Sequence, residues 1–174
     1  MKPLNPEIIQ MPAQKVATVT SKGDPNVVGE QVFPALYGSV YTLRFDRKKK
    51  GLEPFTVTGL RARWPDAHSL PKSEWTAHWA LPIPNDTESL PQKSPDVEVR
   101  IETWEYGTVA QVLHVGPYDE EGSTVELLHK FIEENGYQIA GVLEEEYLAS
   151  PRAQIRKTVI RCPVVQSGER KAES

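Results

Sequence analysis

The chain has 174 residues, 39% of them hydrophobic and 25% charged, which describes a folded protein with material for one sizeable core. Its net charge is −4 and its largest basic run is Arg47–Lys50, so nothing draws it electrostatically to phosphates and no nucleic acid is expected as a partner. One cysteine, Cys162, excludes an internal disulfide framework, and neither a membrane-spanning apolar run nor a signal peptide is seen, so a cytoplasmic protein is expected.

Residues 1–15, with Pro3, Pro6 and Pro12, read as an extended arm. The first strand pattern, VATVTSKGDP, opens at Val16. Val32, Leu36, Val40 and Leu43 then form a helical stripe, and the Arg47–Lys50 run reads as the solvated end of that helix. Pro34 lies inside the stripe, so the helix either starts there in its first turn or is kinked. Two strand-like runs follow, FTVTGLRARW and EWTAHWAL. In the second, Trp75, Ala77, Trp79 and Leu81 share one face at period two. The two tryptophans are either core or a flat aromatic wall for a planar ligand, with the small Ala77 leaving room between them. Turn formers dominate residues 84–97, which read as a linker.

The second half repeats the first. VAQVLHVGPY begins at Val109 and, like the run at Val16, reads V-A-x-V with a glycine seven residues after the first valine, Gly116 matching Gly23. Thr124, Leu127, Leu128, Phe131 and Ile132 give the next helix one apolar face. Ser123 with Glu126 suggests a capping box, and Asn135–Gly136 a helix stop. The following run is read as one strand, with Ile139, Gly141, Leu143, Glu145 and Tyr147 on one face and Ala140, Val142, Glu144, Glu146 and Leu148 on the other. Glu145 then interrupts an apolar stripe: it either faces water near an edge or is a desolvated carboxylate that needs a partner. QIRKTVIRCPV closes the domain, and a flexible tail is expected over residues 166–174.

Two strand–helix–strand–strand repeats, at about 16–83 and 98–165, predict an α+β fold. The expected form is one curved, mostly antiparallel sheet with both helices on one side and a ligand cleft between the repeats. Other chemistries lack their signatures. His68, His78, His114 and His129 with Cys162 show no metal-ligand spacing, so neither metal nor cofactor is expected. His114 reads as a structural histidine. No G-x-S-x-G elbow and no glycine-rich phosphate loop occurs.

LHVGPYDEE, the helix after it, GYQIAGVLEEEYL and the closing KTVIRCPV together resemble the GyrI-like small-molecule-binding family. ALYGSVYTLRFDRKKKG and EWTAHWALPIPND are similar to its stand-alone branch, so the resemblance runs from about Val16 to Val165. It implies an aromatic-lined pocket with a buried glutamate that takes hydrophobic aromatic or cationic small molecules. The family's E-x-Y-L places that glutamate at Glu145 with Tyr147 as the tyrosine, while Trp75, Trp79 and Tyr118 of the GPY turn fall in pocket-lining segments. No helix-turn-helix is expected in the short segment before the first strand. Some stand-alone relatives hydrolyse cyclopropane-containing DNA-alkylating natural products, which would make Glu145 a general base on water, with Glu105 the next candidate. A protein inhibitor of the gyrase-inhibitor type is the third alternative; the scattered, nearly balanced acids of this chain argue against it.

Overall fold

The computed structural model describes residues 1–148 and 153–168. In chain order its elements are β1 (Glu7–Met11), β2 (Gln14–Lys22), α1 (Pro25–Lys49), β3 (Arg61–Arg63), β4 (Thr76–Pro82), β5 (Arg100–Trp104), β6 (Gly107–Val115), α2 (Glu121–Glu134), β7 (Tyr137–Ile139), β8 (Glu144–Tyr147) and β9 (Lys157–Gln166). They fall into two compact units, Ala13–Glu105 and Met1–Pro12 with Tyr106–Ser174. The fold is α+β, and each unit contains the expected repeat: β2–α1–β3–β4 in one, β6–α2–β8–β9 in the other.

In the unit Ala13–Glu105, β2 lies between β4 and β5, and β4 also pairs with β3, all antiparallel. A strand covered on both faces carries apolar residues on both, and Val16, Ala17 and Val19 are fully buried. α1 begins at Pro25, where a missing N–H costs nothing, and the Asp24 carboxylate accepts from the Asn26 N–H at 2.9 Å. Pro34 therefore lies in the helix interior and does not start it. Val32, Leu36, Val40 and Leu43 are all buried, as the stripe predicts. The basic run does end the helix, where cations suit the carbonyl end, but Arg47 itself is buried.

In the other unit β6 pairs with β1 and β9, so the N-terminal arm is in part a sheet strand. β9 in turn pairs with β8 and β7. Directly opposed residues of an antiparallel pair share a face. The face carrying Ala110, Val112, Ile160, Cys162 and Val164 packs against Leu128 and Ile132 of α2. α2 stops at Asn135 with Gly136 at φ +78°, as expected. It starts before the expected capping box, however: Ser123 is already helical, and its hydroxyl donates to the Glu120 carbonyl.

The run 139–148 is not one strand. Pro163 explains the break: its carbonyl accepts from the Ala140 N–H at 2.8 Å, but it has no N–H to return, so the ladder lapses. Its ring also crowds the position, lying 2.9 Å from where a side chain on Gly141 would begin. β8 resumes at Glu144. FTVTGLRARW likewise keeps strand geometry only at Arg61–Arg63. The expected tail falls from residue 169 onward outside the described residues. Among the described residues no helix is long and apolar enough to cross a membrane.

Candidate functional site: a carboxyl pair at the start of α2

The strand-ending glycines repeat in three dimensions. Gly23 has φ +122° and donates its N–H to the Trp75 carbonyl; Gly116 has φ +132° and donates to the Arg156 carbonyl. Trp75 and Arg156 each sit one residue before the last strand of their repeat. Only glycine adopts these angles without strain, which explains why both V-A-x-V runs end on one. After Gly116 the chain makes a single turn of 3-10 helix, Tyr118–Glu120, and enters α2 at Glu121. His114 fixes this corner. Its Nε2 lies 2.9 Å from the Pro117 carbonyl, which can only accept, so Nε2 carries a hydrogen; Nδ1 lies 2.7 Å from Thr124 Oγ1. It is a buried, satisfied structural histidine.

The corner brings Glu121, Tyr118, Glu145 and Tyr147 together. Glu145 stands opposite Ile160 and Tyr147 opposite Thr158, so both point to the α2 face of the sheet. The Tyr147 hydroxyl donates to Glu145 Oε2 at 2.8 Å. The Tyr118 and Tyr147 rings meet edge to face with centroids 5.5 Å apart, and the Arg156 guanidinium lies 4.7 Å over Tyr118. Glu121 is only 9% exposed. Burial, a hydrogen bond with the Glu145 carboxyl and that group's charge raise its pKa from 4.5 to about 9. A helix N-terminus favours an ionised acid by only ~0.3–1 kcal/mol, so desolvation wins here. Glu121 is therefore neutral at pH 7, a protonated acid hydrogen-bonded to a second carboxyl. Among the described residues no donor reaches the buried Oε1 of Glu121. Burial likewise raises the Tyr118 and Tyr147 hydroxyls above their ordinary range, so both remain donors. The group offers one acid, one base and two aromatic rings.

Glu145 is only partly buried; the fully buried glutamate is its neighbour Glu144, on the opposite face. Arg161 reaches Glu144 Oε2 at 2.7 Å, with the two side chains 6% and 2% exposed. The Tyr106 hydroxyl donates to Glu144 Oε1 at 2.8 Å, and Arg161 Nε donates to Gln111. Glu144 is a structural ion-pair acid. Sequence reasoning missed Glu121 and Arg156. Glu121 was findable, since it heads the stripe Thr124, Leu128, Ile132 at helical spacing.

Trp75 and Trp79 lie in the unit Ala13–Glu105. Trp79 is a core residue, 3% exposed, with Nε1 donating to Ser21 Oγ at 2.8 Å. Phe33 and Trp64 meet its ring edge to face at 4.8 and 5.6 Å. Trp75 is half-buried, its ring 6.5 Å from that of Trp64. The indole N–H of Trp64 is buried without an acceptor, so this cluster has one unused donor. Glu105 is exposed.

Among solved structures the chain resembles a conserved protein from Listeria innocua at 26% identity and TM-score 0.82, covering 94% of this chain and 93% of that one. It also resembles a protein described as a hydrolase from Listeria innocua, at 26% identity and TM-score 0.80, covering 95% and 94%. The EcmrR C-terminal domain shares the fold, at 15% identity and TM-score 0.63 over 93% of this chain and 98% of that one. No curated protein sequence matches. The model of the GyrI-like small molecule binding domain matches residues 4–164, and with that span the chain belongs to the GyrI-like family of small-molecule-binding domains.

Proposed function

We propose that the chain binds planar lipophilic small molecules beside Tyr118 and Tyr147 and hydrolyses a strained ring in them. The observation that carries this reading is the carboxyl pair: buried Glu121 is hydrogen-bonded to Glu145, which Tyr147 holds at 2.8 Å beside two aromatic rings. The likeness to a hydrolase from Listeria innocua, over 95% of the chain, supports it. In a carbonyl-conjugated cyclopropane, Glu145 takes a proton from water while the water oxygen bonds to a ring carbon. The broken carbon–carbon bond delivers its electron pair toward the conjugated carbonyl, whose oxygen takes the proton of Glu121. One water is consumed, and the pair returns to its starting state by passing a proton from Glu145 to Glu121. Tyr147 holds the Glu145 carboxylate in one orientation through its 2.8 Å hydrogen bond.

A sequestering binder is the second reading, favoured by the Glu145 carboxyl group beside two aromatic rings, an arrangement that suits a lipophilic cation. One experiment separates the two. Incubation with a cyclopropane-bearing alkylating compound is expected to give a ring-opened product with one water added, over many turnovers. Glu145→Gln should abolish turnover, because an amide cannot accept the proton. Return of the compound unchanged from the wild type overturns the hydrolase reading. In that case an ethidium-type dye should bind the wild type at least tenfold tighter than Glu145→Gln.

A further inference from the structure

Arg47 combines features that a solvated helix-end arginine would lack. It ends the buried stripe of α1 and is 8% exposed. Its Nη1 and Nη2 grip the Asp86 carboxylate at 2.9 and 3.4 Å, a forked, two-point arrangement. The Asp86 side chain, by contrast, is 67% exposed. The guanidinium also keeps a buried Nε–H with no acceptor, so this partner does not use all its donors. Beside the pair opens a cavity of about 490 Å³. Its walls include Pro54, Phe55, Ile83 and Pro84; among the described residues Arg47 is its only cation, and Glu53 and Asp86 are its acids.

We propose that this cavity is a second ligand site, separate from the carboxyl pair, and that it takes an apolar or aromatic carboxylate. The ligand's carboxylate replaces that of Asp86 on Arg47, and its ring lies against Phe55 and the prolines. The exchange is asymmetric in cost. Arg47 is buried and cannot be left unpaired, whereas Asp86 is mostly solvated already and returns to water with little loss. The volume falls in the range of sites for compounds of drug size, ~300–1,000 Å³. The walls combine apolar side chains with a few polar and charged groups, the usual composition of such sites.

Calorimetric titration with naphthalene-2-carboxylate and with naphthalene-2-carboxamide tests the proposal on the intact chain. The wild type is expected to bind one carboxylate per chain, at least tenfold tighter than the carboxamide. Asp86→Asn removes the internal competitor and should tighten carboxylate binding severalfold. Thr58→Trp, an exposed change at the cavity lining, fills the space without touching the ion pair and should abolish binding. Equal affinity for the two compounds, or no carboxylate binding by the wild type, overturns the proposal. So does binding that survives Thr58→Trp unchanged, since the ligand would then sit elsewhere. If Asp86→Asn fails to fold, the two-compound comparison and Thr58→Trp still decide it.

Discussion

Glu144 and Arg161 face each other across β8 and β9 with 2.7 Å between Oε2 and Nη1, while Glu145, one residue on, turns to the opposite face. The two acids do different work because alternate residues of a strand point opposite ways. Glu144 neutralises a buried guanidinium; Glu145 instead meets a second carboxyl and the Tyr147 hydroxyl. Glu144→Ala should therefore unfold far more easily than Glu145→Ala. Removing one partner of a buried pair costs ~3–5 kcal/mol. Urea melts of both variants check this, and similar midpoints would contradict the division of roles.

The carboxyl pair makes stability depend on pH in an unusual direction. Glu121 is raised from 4.5 to about 9, so between those values the folded chain keeps a proton that the unfolded chain has released. The unfolded state then binds fewer protons, and stability falls as pH rises through this window. Glu121→Gln stays neutral in both states. Its urea midpoint should vary less between pH 5 and 9 than that of the wild type, and should lie higher at the alkaline end. A wild-type midpoint that rises with pH over this window would overturn the assignment. If the hydrolase reading holds, turnover should fall above about pH 9 as the acid is lost.

Tyr147→Phe deletes one hydroxyl and its 2.8 Å bond to Glu145 while keeping the ring contact with Tyr118. A hydrogen bond to a charged group contributes ~1.5–3 kcal/mol, so turnover or cation binding should drop roughly 10- to 100-fold. The thermal midpoint should move little. An unchanged site property would show that Glu145 does not need this anchor.

Much of the fold was legible because the two V-A-x-V runs each end on a glycine at the same spacing, a local signal with a local cause. The stripes Val32–Leu43 and Thr124–Ile132 were legible for the same reason. The break between β7 and β8 was not, because its cause, Pro163, lies on another strand more than twenty residues away. The choice among three consecutive glutamates shows the same limit. Parity gave Glu145 and Tyr147 a common face, yet the most buried acid among the described residues is Glu144, since Arg161 lies on the other face, where the pattern gave no sign of a partner. Glu121 was hidden in the run Asp119–Glu121, where only spacing to Thr124 and Leu128 separates an inward acid from two outward ones.

Gly116 and Gly23 offer a final test, because they share a backbone geometry but not a neighbourhood. Both have φ near +130°, at +132° and +122°, where a side chain is strained whatever space it finds. Alanine at either position should cost ~1–3 kcal/mol, read from urea melts. A methyl at Gly23 also meets Val28 at 3.1 Å, whereas at Gly116 the nearest atom is a flexible Glu120 oxygen at 3.5 Å. Gly23→Ala should therefore be the more damaging to stability. Gly116→Ala should be the more damaging to the site, since Pro117 and Tyr118 follow directly and His114 Nε2 is held by the Pro117 carbonyl. Dye affinity, or turnover if the chain is a hydrolase, should fall in Gly116→Ala beyond what its stability loss explains. If the two variants lose stability and site properties in the same proportion, the corner after Gly116 does not position Tyr118 and Glu121.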